Sequence, residues 1–251
     1  MVEILMSPIG ISVLLAILTG AANLLGSAIV LVRPWSRPLL SSFIALGSGF
    51  MLATAMTAMV PESLHLAPAS APFLILVGYL IVHYFEHTLP GHFHFGEETH
   101  RDEFLDPSVA YTALAGLVIH TFFGGVSLAS GFLVSRWLGV VIFGAIILHN
   151  VPEGFTIASI MVAANKGRRA GFWAAGALAL SRILGVLAMG LMQHWVSYGL
   201  ALSAGATLYV AASDLIPEVN KLRGSKIALT VAAGVGLVLL MQFLFGGHAG
   251  H

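Results

Sequence analysis

The chain has 251 residues, of which 58% are hydrophobic and 9% charged, with 11 basic and 11 acidic side chains and no cysteine. Water-soluble domains carry roughly 25% charged residues, so a soluble fold is excluded and an all-α integral membrane protein is expected, a single domain over residues 1–251. With zero formal charge nothing suggests nucleic-acid binding, and the lack of cysteine excludes disulfides and thiolate metal sites.

A helix crosses the hydrocarbon with about 20 apolar residues. Eight stretches qualify in chain order: roughly 8–33, 39–60, 71–90, 108–134, 137–162, 170–192, 197–217 and 227–246. The first follows Met1-Val2-Glu3, which has no basic lead, so it reads as a retained helix rather than a signal peptide. The third carries His83 and Glu86 near its end. It runs into the longest hydrophilic segment, a His- and acid-rich loop over residues 84–107 that contains His87, His92, His94 and His100. Such tracts bind metal weakly or are simply solvated. Trp137, Trp173 and Trp195 fall near span ends, where amphipathic rings favour the interface.

Charge asymmetry orients the chain. With the N-terminus outside, the inner loops hold Arg33, Arg37, Arg101, Lys166, Arg168, Arg169, Lys221, Arg223 and Lys226, the outer loops hold Arg136, and Arg182 lies within a span. Basic residues gather on the cytoplasmic side, so both termini are expected outside or in the periplasm, in a cell inner or plasma membrane. Two internal repeats accompany this order. Gly49, Leu52, Ala55, Pro61 and Glu62 match Gly205, Leu208, Ala211, Pro217 and Glu218; His120, Gly125, Ala129 and Ser130 match His149, Gly154, Ala158 and Ser159. Each pair of spans runs in opposite directions, which makes these inverted repeats of the kind that frame a midplane site in secondary transporters.

The fifth span holds Leu148-His149-Asn150-Val151-Pro152-Glu153-Gly154 near its middle. Ionisable groups at that depth are costly and mark pathways or partnered sites. His149 and Glu153, four apart, share a helix face, with Asn150 beside them and His120 at the matching place in the fourth span. Imidazole and carboxylate together suit Zn²⁺ and similar ions. Pro152 removes a backbone hydrogen bond and frees a carbonyl. In the seventh span Asp214 and Glu218 are again four apart, with Pro217 between them. Met51, Met56 and Met59 serve as packing or as soft donors near a site.

These motifs resemble those of the ZIP (Zrt/Irt-like) divalent-metal transporters. His149-Asn150-Val151-Pro152-Glu153-Gly154 is similar to the fifth-helix motif, His120-Thr121-Phe122-Phe123-Gly124-Gly125 to the fourth, and Ala212-Ser213-Asp214-Leu215-Ile216-Pro217-Glu218 to the acidic seventh. The resemblance implies eight helices in a 3+2+3 arrangement, a main metal site from His120, His149 and Glu153, and an adjacent one from Asn150, Glu153 and Asp214. It further implies a homodimer that moves metal into the cytoplasm by alternating access. The chain departs from the pattern at Gly124, where a carboxylate is expected, at Thr121 for Asn or Ser, and at Ala58 for a second-helix histidine. Thr121, Glu218 and Arg182 are auxiliary candidates; Arg182 has Asp214, Glu153 or a carbonyl open to it as partner.

The function expected is transport of Zn²⁺, as substrate, with cadmium and other divalent metals sharing its ligand types. An intramembrane zinc hydrolase, using His120, His149 and Asp214 to activate water with Glu153 as base, and a non-transporting metal sensor are the alternatives.

Overall fold

The computed structural model describes residues 6–32, 37–88, 107–220 and 225–245. Among them there is no strand. The helices are α1 (Pro8–Val32), α2 (Arg37–Thr54), α3 (Val60–Leu66), α4 (Ala71–Thr88), α5 (Pro107–Val134), α6 (Arg136–Ala163), α7 (Gly167–Leu191), α8 (Val196–Tyr209), α9 (Ile216–Asn220) and α10 (Ser225–Phe245). A π-helical segment, Ala55–Met59, joins α2 to α3, and another, Val210–Leu215, joins α8 to α9.

Seven of the eight expected spans appear as helices long and apolar enough to cross a membrane. The remaining one, α4, is apolar only over Ala71–Phe85. Its last turn carries Glu86 and His87, which cuts the apolar length below the about 20 residues that span the hydrocarbon. The loop histidines His92, His94 and His100 lie outside the described residues, and of His87 only the helical backbone is described.

The π-helical segments sit where proline interrupts the backbone ladder. Pro61 has no N–H to offer the Thr57 carbonyl four residues back. Gln242 of α10 donates to that carbonyl instead at 3.1 Å, and to the Thr57 hydroxyl at 2.8 Å. In the second segment, which runs up to Pro217, Ser213 meets the Tyr79 hydroxyl of α4 at 2.8 Å.

Close helix approach follows from paired glycines, since without a Cβ two backbones can touch. A Cβ on Gly154 of α6 would lie 1.9 Å from the Asn23 carbonyl of α1, and one on Gly26 would lie 2.1 Å from the Val151 carbonyl. Gly125 and Gly185 press α5 against α7 in the same way. Gly49 and Gly234 join α2 to α10, and Gly78 and Gly205 join α4 to α8. The result is a central group of α1, α5, α6 and α7, with α2 and α8 packed on it and α10 and α4 outside them.

Local signals set α6. Ser135 caps it by accepting from Leu138 N at 3.1 Å. Its end turns through Asn165 at φ 57° and Gly167 at φ 84°, left-handed positions that asparagine and glycine tolerate. His149 is thereby the fourteenth of 28 residues in α6, as His120 is of the 28 in α5.

Candidate metal centre

Half-way along two adjacent helices, the rings of His120 and His149 face each other with centroids 5.7 Å apart. Both are buried. His149 Nδ1 lies 2.7 Å from the Ala145 carbonyl. Only a donor can satisfy a carbonyl oxygen, so Nδ1 carries a proton, and in the neutral ring Nε2 keeps its lone pair. That Nε2 has no hydrogen-bond partner. His149 is one of the residues that line a small cavity, with about 20 Å³ of room for the centre of a water molecule. Such a space takes about one water-sized guest.

His120, His149, Gly124, Thr54, Ser127 and Thr207 line this cavity. Met51 and Met59 also line it, both almost wholly buried, with Ile142, Ala145 and Ile146, and the Ser127 hydroxyl lies 3.8 Å from Met59 Sδ. Met56, grouped with them in the sequence, is instead 53% exposed.

Glu153 lies one turn along α6 from His149 and has no exposure to solvent. Its Oε1 is 3.9 Å from His120 Nε2. Its Oε2 accepts from Arg182 Nη2 of α7 at 3.4 Å, an ion pair whose two side chains are fully buried. The Asn23 amide of α1 lies against the same carboxylate, without a hydrogen bond of ordinary length. Sequence reasoning passed over Asn23; the signal was present, an amide within an apolar span, by the same logic that singled out His149.

Asn150 points elsewhere. Its Nδ2 donates to the Thr19 carbonyl of α1 at 2.7 Å, and its Oδ1 has no hydrogen-bond partner. Asn150→Leu therefore unties α6 from α1, with an expected loss of about 1–3 kcal/mol for the stranded carbonyl, read as a lower midpoint in thermal unfolding of the purified protein; an unchanged midpoint would contradict the tie. Thr121 turns back on its own helix, donating to the Leu117 carbonyl at 2.8 Å. Asp214, in the second π-helical segment, is buried but does not line the cavity. The side chain of Glu218 lies outside the described set. Leu148, whose carbonyl Pro152 cannot satisfy, faces Gly47 of α2: a Cβ there would lie 3.6 Å from that oxygen and 3.3 Å from His149 Cβ.

Among the described residues no three His, Asp or Glu side chains converge as a ready-made metal cage. The arrangement instead offers two imidazoles on a small cavity, with one carboxylate behind them engaged by a guanidinium. An imidazole nitrogen without a hydrogen-bond partner, on a residue that lines a cavity, is a candidate donor for Zn²⁺-like ions.

The sequence model of the ZIP Zinc transporter family matches residues 105–242, which include His120, His149, Glu153, Arg182 and Asp214. Zinc transporter ZIP13 of Pongo abelii is 30% identical over 148 residues, 53% of this chain and 43% of its own length. The Zinc transporter ZIP13 homolog of Drosophila melanogaster is 28% identical over 146 residues, 54% of this chain and 41% of its own. The chain thus spans about two fifths of the length of these relatives. Since the family match extends over more than half of its residues and carries the buried histidines and carboxylate with it, the chain belongs to the ZIP zinc transporter family.

Proposed function

We propose that this protein is a secondary transporter of Zn²⁺ or a similar divalent transition metal. The observation that carries the reading is the His120–His149 pair on a small cavity half-way along α5 and α6. His149 Nε2 is the first donor in this scheme, His120 the second, and Glu153 the anion that offsets the ion's charge. Asn150 and Asp214 belong to an adjacent or inner position on the path. The relatives named above are zinc transporters by name, and the family is one of transporters, so a hydrolase is not favoured.

Alternating access through inverted repeats gains support from matched features in the two halves. The π-helical segments occupy corresponding positions before Pro61 and Pro217. The glycine pair Gly49 and Gly234 corresponds to Gly205 and Gly78 under the same repeat. In this scheme α4 makes the eighth crossing, both termini face outward, and metal moves into the cytoplasm across an inner or plasma membrane. The assembly is a homodimer, and His87, His92, His94 and His100 gather metal weakly at the inner side. Zinc is the first substrate to test, with cadmium as a competitor.

Replacing His149 by Ala should raise the Zn²⁺ concentration for half-maximal flux into proteoliposomes by at least about tenfold, since even groups one step removed from a metal shift affinity by that factor. An unchanged half-saturation would remove His149 from the site.

A further inference from the structure

Arg182 is the largest fully buried side chain among the described residues. Its guanidinium carries five N–H donors, yet it makes only one described hydrogen bond, to Glu153 at 3.4 Å; Nε and Nη1 have no hydrogen-bond partner. A Cβ built on Gly124 would lie 3.5 Å from Arg182 Nε and 3.8 Å from Nη2. The guanidinium therefore reaches across from α7 to the place where a side chain on Gly124 would begin, and there it holds the carboxylate of Glu153.

We propose that Arg182 is a resident cation that takes the place of a second divalent ion. This rests on the metal-transport reading above. Two divalent ions side by side need several anions to offset them, because charges in a low-dielectric interior are poorly screened. Among the described residues Glu153 is the carboxylate that reaches His120, at 3.9 Å, and Arg182 neutralises it when no metal is bound. Gly124 and Arg182 are then one device. An acidic side chain at position 124 would meet the guanidinium at contact distance and form an ion pair with it rather than a metal ligand. The site accordingly takes one divalent ion, on the His120–His149 side, and Glu153 divides its two oxygens between that ion and Arg182. His120 Nε2 lies 3.9 Å from Oε1, while Arg182 holds Oε2.

The test counts Zn²⁺ bound to the purified full chain by equilibrium dialysis and elemental analysis. Wild type should bind one ion per chain, and Gly124→Asp should still bind one, its new carboxylate spent on Arg182. The double variant Gly124→Asp with Arg182→Gln should bind two. A second ion bound by Gly124→Asp alone, or a folded double variant that still binds one, would overturn the proposal.

Thermal unfolding without metal gives an independent readout. Glu153→Gln should lower the midpoint by stranding the guanidinium, and adding Arg182→Gln to it should restore part of the loss. A double variant no more stable than Glu153→Gln would sink the pairing even if the Gly124→Asp double variant fails to fold. If wild type binds no Zn²⁺ at all, the metal-site reading fails and the resident-cation proposal, which rests on it, fails too. The unfolding series then still reports whether Arg182 and Glu153 are coupled, so the two failures are told apart.

Discussion

Glu153→Gln should reduce saturable Zn²⁺ flux to the level of empty vesicles and destabilise the protein in the same stroke. The amide keeps the shape of the carboxylate and removes its charge. Transport fails because, among the described residues, Glu153 is the carboxylate that reaches the paired histidines, 3.9 Å from His120. Stability falls because Arg182 is left charged and unpaired in a fully buried position. Removing one partner of a buried pair costs about 3–5 kcal/mol. Glu153→Asp separates the two effects. It keeps the charge and much of the stability but draws the carboxylate back by one methylene, so folded protein should be recovered with strongly reduced flux. Flux into proteoliposomes and unfolding midpoints on the same preparations decide the matter. Normal flux from a folded Gln variant would reject Glu153 as part of the site.

Gly154→Ala should be at least as damaging, although it adds only a single uncharged methyl group. Its Cβ would lie 1.9 Å from the Asn23 carbonyl, well inside contact distance, and a backbone atom cannot step aside. Relief requires α1 and α6 to part. Overpacking commonly costs about 1–3 kcal/mol and sometimes more; two backbones forced apart belong to the upper end. Parting the helices also shifts Asn23 from the Glu153 carboxylate and breaks the Asn150–Thr19 tie. Gly236→Ala in α10 is the control, since a Cβ there meets nothing within 4 Å. The expected contrast is a sharp loss of folded, monodisperse protein for Gly154→Ala and none for Gly236→Ala. Equal yields and equal midpoints would show that the α1–α6 contact is not what holds Glu153 in position.

Much of this architecture was legible in the residues. Long apolar runs announce membrane helices, because an unpaired backbone in lipid is too costly for anything but a closed hydrogen-bonded ladder. Seven of the expected spans are helices long enough to cross, and their bounds fall within about six residues of those read from hydropathy. The one that falls short, α4, carries Glu86 and His87 on its final turn. His120 and His149 announced themselves as polar groups that lipid would reject, and they do come together.

Other features depended on relations between helices. From α6 alone, His149, Asn150 and Glu153 looked like one cluster. In the fold, His149 meets the cavity, Glu153 meets Arg182 and Asn150 meets the α1 backbone. Gly124 read as a missing ligand, and its meaning changed once the guanidinium of Arg182 was found beside it.

The sequence by itself determined the membrane setting, the positions of nearly all the helices, the paired histidines and the family likeness, because these rest on composition and spacing along one chain. Only the tertiary structure decided which way each buried group points, that Arg182 rather than a second ligand stands beside Glu153, and that Asn23 faces the same carboxylate. An amphipathic helix reveals its inward face through its polar one, but helices that are apolar nearly all round carry no such mark. Their rotation and relative height are fixed by where glycines let neighbouring backbones touch, and that is a property of helix pairs which no single helix discloses.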